Sequence, residues 1–157
     1  MRIVAGLAML LVSAGSATAT GGLSCVDVMT AFLDRIADHN PEINAIVSLR
    51  PREDLLREAL EADRLLAAGK RKGWLHGLPF AVKDLVETAG LRSTSGSPIF
   101  ADHIPEKDEW LAACLRAEGA VFIGKTNTPE WGLGSHSYNP VHGVTRNPYD
   151  LTRSAGG

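Results

Sequence analysis

Few residues in this sequence have both the type and the setting to do chemistry, and Lys83 is the first of them. It follows the apolar run Leu78, Pro79, Phe80, Ala81 and Val82, itself introduced by Gly77. An amine held among apolar groups loses the hydration of its charged form, so its pKa falls and a neutral base becomes available near neutral pH. Such a base can take the proton of a hydroxyl that is otherwise a poor nucleophile. Asp84 comes next; its side chain either orients the lysine or caps the following turn, and capping is the expectation. Hydroxyls cluster between Arg92 and Pro98, where Ser95 and Ser97 read as a polar turn that satisfies its own backbone rather than as nucleophiles.

Thiols and imidazoles add little. Cys25 and Cys114 stand far apart, with neither a disulfide framework nor a metal-ligand spacing, so each reads as a small buried apolar residue. Cys114 falls on the apolar stripe of a helical segment with no histidine beside it, which argues against a reactive thiol. His39, His76, His103, His136 and His142 never fall four apart on a plausible helix or beside a cysteine pair. No metal and no other cofactor is expected.

The chain has 157 residues, 45% hydrophobic and 22% charged, with a formal net charge of -2. These values fit one folded domain and exclude a disordered chain. Positive residues are scattered and aromatics few, so a nucleic-acid surface is not expected, and the ligand should be a small molecule. At the amino terminus an apolar run from Ile3 to Val12 stands behind Arg2, and Ala17-Thr18-Ala19 supplies a small-residue cleavage pattern. Residues 1–19 therefore read as a candidate signal peptide, too short and small-rich for a stable membrane span. Export to the periplasm or medium, and a cytoplasmic protein with an ordinary first helix, both stay open.

The elements that must position Lys83 follow from periodicity. Val28, Phe32, Leu33 and Ile36, behind the Ser24/Asp27 capping box, predict an amphipathic helix that Asn40-Pro41 stops. Ile43 to Leu49 reads as an extended segment. Pro51, Glu53 and Asp54 open a second helix, striped by Leu55, Leu56, Ala59, Leu60, Ala62, Leu65 and Leu66 and ended by Gly69; Lys70, Arg71 and Lys72 suit its negative end. Leu78 to Val82 reads as a buried strand. Asp108 to Glu118 reads as a helix with Trp110, Leu111, Cys114 and Leu115 facing inward, and Ala120 to Gly124 as a second strand.

Strand, helix and strand make a βαβ unit with a parallel pair, hence an α/β domain. Ligands bind at the C-terminal edge of such strands, so Lys83 and the Lys125 to Asn127 turn should face one crevice. Beyond Thr126 the prolines, asparagines and glycines predict a long turn-rich loop of the functional kind.

Three blocks, SCVDVMTAFLDRIADHNPEINAIVSL from Ser24, GLPFAVKDLVETAGLRSTSGS from Gly77 and GAVFIGKTNTPEWGLGSHSYNPVHGVTRNPYDLTRSAGG from Gly119, closely resemble the amidase signature family in the expected order and spacing. The resemblance implies a partial amidase-signature fold: N-terminal helices plus the first strands of a mixed central sheet covered by helices. Residues 20–157 would be the N-terminal part of an amidase domain, truncated at its C-terminal end. The implied activity is hydrolysis of a carboxylic amide C-N bond through a Ser-Ser-Lys triad with Lys83 as base, and the implied partner is a small-molecule amide. By the family's pattern the first serine, held in an unusual cis peptide, comes directly after Ser154-Ala155-Gly156-Gly157, and the glycine-rich oxyanion donors lie further on. The resemblance also assigns Gly132, Gly134 and Ser135 to the loop lining the acyl side of the pocket, although plain turn chemistry would explain them equally.

By this reading the chain alone would lack the bridge, the nucleophile and the oxyanion hole, and be inactive. Two alternatives stay open. One is the glutamine-hydrolysing subunit of a tRNA-dependent amidotransferase, against which the signal-like N-terminus argues. The other is a non-catalytic fragment or interaction module whose exposed sheet edges and apolar surface favour association, as a homo-oligomer or with the missing C-terminal portion.

Overall fold

The computed structural model describes residues 22–156, so the candidate signal peptide and Gly157 lie outside the described residues. Ser24 caps helix α1 (Cys25–Ile43): its hydroxyl accepts from the Asp27 N–H at 3.0 Å, and the Asp27 carboxylate accepts from the Ser24 N–H at 3.1 Å. The next two free donors, the N–H groups of Cys25 and Val26, bond to the Asp63 carboxylate of helix α2 (Arg52–Ala67) at 2.7 and 3.1 Å. A helix start leaves such donors unpaired, and here sequence-local and tertiary carboxylates share them. Contrary to expectation α1 runs through Asn40-Pro41 and ends at Asn44, in left-handed conformation at φ 55°. The Asn40 amide is engaged elsewhere, with both backbone groups of Ile46 at 2.8 Å, and it fixes the return of the chain rather than the end of the helix.

That return forms strand β1 (Ile46–Val47), shorter than the extended segment expected. Strands β2 (Pro79–Lys83) and β3 (Val121–Thr126) are parallel, as the βαβ reading requires, and β1 is antiparallel to β3, giving a mixed sheet of order β1-β3-β2. Met29 and Leu33 of α1 and Leu55, Ala59 and Ala62 of α2 pack on one face against Val121 and Ile123. Helix α3 (Trp110–Ala117) covers the other face, where Ala112 packs with Val82, Ala120 and Phe122. The expected inward face of α3 is corrected: Trp110 is 80% exposed, and Leu111 and Cys114 are exposed as well. Rotation of this short helix is set at its ends. The Glu109 N–H donates to Glu87 O at 3.0 Å while the Glu109 carboxylate accepts from the Glu87 N–H at 3.2 Å, and Arg116 lies 4.8 Å over the Phe122 ring.

One irregularity in the sheet matters for the site. Phe80 pairs with Phe122, but Ala81 pairs with Gly124, which leaves Ile123 as the extra residue of a bulge. Paired residues in a sheet share a face. Ile123 therefore stays with the α1/α2 core, while Lys125, paired with Val82, moves to the face of α3.

Beyond β3 the chain forms two small antiparallel ribbons, β4 (Tyr138–Asn139) with β5 (Gly143–Val144) and β6 (Arg146–Asn147) with β7 (Asp150–Ser154), in the stretch expected to be turn-rich. Among the described residues no helix is long and apolar enough to cross a membrane. The tertiary cap on α1 is open to direct test. Asp63→Ala should cost about 1–2 kcal/mol in urea denaturation, at least as much as Ser24→Ala, because it strands two helix-start donors where Ser24→Ala strands one.

Candidate active site

Lys83 ends β2 at the C-terminal edge of the parallel pair, opposite Thr126 in the register. Its side chain is exposed, not enclosed by the apolar run before it. The strand explains this: Phe80 and Val82 turn to the α3 face and Ala81 to the other, and Lys83 emerges past the last residue of the apolar ladder. The desolvated lysine is Lys125, with no exposed surface. Its amine donates to Val86 O and to Thr88 Oγ1, the latter at 2.8 Å, both in the loop after β2. Burial lowers its pKa to about 8, against the opposing pull of Asp84, Glu109, Asp108 and Glu87. The expectation of one crevice for both lysines is thus half corrected, since the bulge carries Lys125 to the opposite face from Lys83.

Asp84 is also fully buried, and its carboxylate does not cap the next turn. Oδ1 accepts from the Thr94 N–H at 2.9 Å, Oδ2 from the Thr94 hydroxyl at 2.5 Å, and His142 Nε2 lies 3.3 Å from Oδ2. Burial raises the carboxyl pKa, but the hydrogen bonds from His142 and Thr94 outweigh it and hold the group below the usual range. The backbone of Asp84 is tied as well, its N–H to Thr126 O and its carbonyl to the Ser95 N–H, both at 2.9 Å. The hydroxyl cluster is thereby partly explained. Ser93 bonds back to Leu91 O at 2.9 Å as a polar turn should, whereas Ser97 reaches across to Glu130 at 2.7 Å.

Asparagines anchor the turns above these strand ends. Asn139 donates to Asn127 Oδ1 at 2.6 Å and Thr128 O at 2.8 Å, and accepts from the Val141 and His142 N–H groups at 2.9 and 2.7 Å. Asn127 in turn donates to Gly143 O at 3.0 Å, and Asn44 donates to His142 O at 2.7 Å. His142, considered in the sequence only as a metal ligand, is therefore placed on Asp84 by residues from three separate segments.

Gly134 and Ser135 line a groove of about 330 Å³ together with Glu130, Leu133, His136 and Tyr138. Gly132 stands behind it. At φ 72° it adopts a conformation that favours glycine, and a Cβ there would meet Leu85 at 2.9 Å. The Ser135 hydroxyl and His136 Nδ1 are 2.7 Å apart. Beside the groove the Ser137 hydroxyl donates to Gly156 O at 2.9 Å and the Ser137 N–H to Ala155 O at 3.0 Å.

Cys25 packs in the first core, where burial and then Asp63 push its thiol up to about 11, so it is not a thiolate at neutral pH. Cys114 is exposed, contrary to expectation. Among the described residues no group of three His, Cys, Asp or Glu side chains is placed to hold a metal ion.

A family model described as Amidase matches residues 27–157. The chain is 41% identical over 142 residues to an acylamidase of Rhodococcus erythropolis, covering 90% of this chain and 30% of that protein. It is 43% identical to one component of the glutamyl-tRNA(Gln) amidotransferase of Azoarcus sp. (strain BH72), over 88% of this chain and 28% of that one. The structure of native peptide amidase from Stenotrophomonas maltophilia superposes with a TM-score of 0.77 at 35% identity, covering 86% of this chain and 29% of the other. The chain thus spans about three-tenths of the length of the proteins it matches.

Lys125 makes a pH-dependent prediction. Its folded pKa lies below the ordinary 10.5, so between pH 8 and 10.5 the unfolded chain binds the extra proton and the buried charge is progressively relieved in the fold. Stability should rise across that window relative to Lys125→Met, which has no charge to relieve. Urea midpoints for the two proteins at pH 7.5, 9 and 10 (about the window's span) give the slope; parallel profiles would refute it.

Proposed function

Because the chain belongs to the amidase signature family, we propose that the protein hydrolyses the C-N bond of a carboxylic amide through a Ser-Ser-Lys triad with Lys83 as base. The observation that carries this reading is the family match across residues 27–157, which takes in both the strand ending on Lys83 and the segment through Gly156 that lies beside the groove. The position of Lys83 supports it: the amine leaves the C-terminal edge of a parallel strand, where α/β sheets bind ligands, and is open to a reacting hydroxyl.

The chemistry needs a proton path. A neutral Lys83 amine draws the proton of a bridging serine, which takes that of the nucleophilic serine as its oxygen attacks the amide carbonyl. The tetrahedral oxyanion collapses with cleavage of the C-N bond, and the bridge returns a proton to the departing amine. Water then attacks the acyl-enzyme ester by the same path and releases the acid. Both serines and the oxyanion donors fall beyond Gly156-Gly157 in the family's pattern. Since a lysine base works only as the neutral amine, and burial favours that form, the exposed Lys83 also requires cover from substrate or further chain. On this reading the 157-residue chain alone is inactive, and Gly134 and Ser135 face the acyl group.

A second reading within the family is a glutamine-hydrolysing component of an amidotransferase, favoured by the 43% identity to a protein of that kind. It predicts release of ammonia from glutamine, together with stable co-purification of a second subunit.

Fluorophosphonate labelling and amide turnover are the decisive measurements. The chain ending at Gly157 should take no label and hydrolyse no simple amide. Coding sequence read in frame past Gly157 should give Ser-Ser-Gly-Gly, and in the protein that carries it Lys83→Ala should lower kcat/KM by about 10²–10⁴-fold. Unrelated sequence there, or full activity in Lys83→Ala, would sink the triad.

A further inference from the structure

Asp84 and His142 have no part in the reaction proposed above, yet they form a buried acid–imidazole pair directly after its base, with side chains 0% and 7% exposed. Hydrogen-bond accounting fixes what the imidazole does there. The Thr94 hydroxyl has one proton, which goes to Asp84 Oδ2 at 2.5 Å, and its oxygen accepts from the Gly96 N–H at 3.0 Å. His142 Nε2 stands 3.2 Å from that oxygen and 3.3 Å from Oδ2. A carboxylate only accepts, and the hydroxyl proton is committed, so Nε2 carries a hydrogen and donates it between the two oxygens.

We propose that His142 is a positioning residue for Lys83: with Thr94 it holds the Asp84 carboxylate in the interior, away from the neighbouring amine. The proposal rests on Lys83 being the base. A free carboxylate one residue from a lysine pairs with the ammonium and favours the charged form, the opposite of what a base needs. Here successive residues of the extended chain point to opposite sides, Lys83 outward and Asp84 inward. Both carboxylate oxygens are engaged, and the backbone bonds to Thr126 and Ser95 keep the residue from turning. His142 is fixed by its own N–H on Asn139 and its carbonyl on Asn44, so the donor stays aimed at Asp84. The titratable groups that face this carboxylate are His142 from the turns and Lys125 from β3; Glu87, Asp108 and Glu109 lie about Lys125. Among the described residues Lys83 makes no ion pair with a carboxylate.

Acylation by a small N-hydroxysuccinimide ester, followed at Lys83 by peptide mass mapping across a pH series, reads the neutral fraction of that amine in the 157-residue chain without any need for turnover. His142→Ala loosens the carboxylate, leaving it only the two Thr94 donors, and the pH of half-maximal acylation should rise, by at most roughly half a unit, the contribution of an exposed ion pair. His142→Gln, whose amide can donate to the same oxygens, should stay at the parent value. Asp84→Asn should leave the parent midpoint where it is, and combined with His142→Ala it should abolish the rise. A histidine that only stabilises the fold would lower the melting temperature and leave the midpoint alone, so an unmoved midpoint in folded His142→Ala overturns the proposal. A midpoint that falls in Asp84→Asn overturns it too, because the carboxylate would then already act on the amine; this arm decides if His142→Ala does not fold. Failure of the amidase reading is a separate result, seen as absent turnover in the continued protein with the midpoints behaving as stated.

Discussion

The Asp84 carboxylate, with no exposed surface at the end of β2, is the constraint around which the site is organised. Burying a charge costs several kcal/mol unless donors replace the lost water. Here the donors come from far along the chain: the hydroxyl loop through Thr94, and the turns after β3 through His142. The end of β2, the hydroxyl loop and the later turns must therefore converge on one point. Satisfying Asp84 fixes the direction in which Lys83 leaves the sheet and the height at which the later turns sit above it. Two buried asparagines, Asn127 and Asn139, extend this network and hold His142 in place.

The two lysines at the ends of the parallel strands show how a single-residue irregularity decides chemistry. Without the bulge at Ile123, Lys125 would share the face of Ile123; with it, Lys125 shares the face of Val82 and lies under the loop after β2. There its amine donates to two acceptors, Val86 O and Thr88 Oγ1. Burial works toward loss of its proton, against the pull of Asp84, Glu109, Asp108 and Glu87. Lys83, one position beyond the Val82–Lys125 pair, has no such enclosure and stays available at the surface.

Strands β2 and β3, covered by helices on both sides, are legible as short apolar runs, whereas periodicity made α1 and α2 legible, because each buries one face. The Ser24/Asp27 box was legible for the same reason: its partners are three residues apart. Position carried Lys83, at the end of an apolar strand. What could not be read was set by contacts with no sequence period. Thr94 and His142 are 48 residues apart, and nothing in either neighbourhood marks the other. The rotation of α3 depends on Glu109 meeting Glu87 and on Arg116 lying over Phe122, so the largest apolar residue of that helix, Trp110, faces solvent although the sequence pattern points it inward. The apolar run before Lys83 points to a desolvated lysine there, whereas enclosure depends on the loop that folds back afterwards over Lys125.

Strain links this node to the groove. Ser95 and Trp131 both adopt left-handed backbone conformations, at φ 52° and 56°, and the Trp131 N–H donates to Ser95 O at 2.8 Å. Such conformations cost about 1–3 kcal/mol each and persist only where the surroundings over-determine them. The surroundings here are specific. The Ser95 N–H is bound to Asp84 O, Ser97 to Glu130, and the Trp131 ring stands edge-on to Phe100 at 5.3 Å. The Gly134–Ser135 wall of the groove follows three residues after Trp131, so it is tied through this strained pair to Asp84. On the proposed reaction, base and acyl wall are then linked through hydrogen bonds that converge on Asp84.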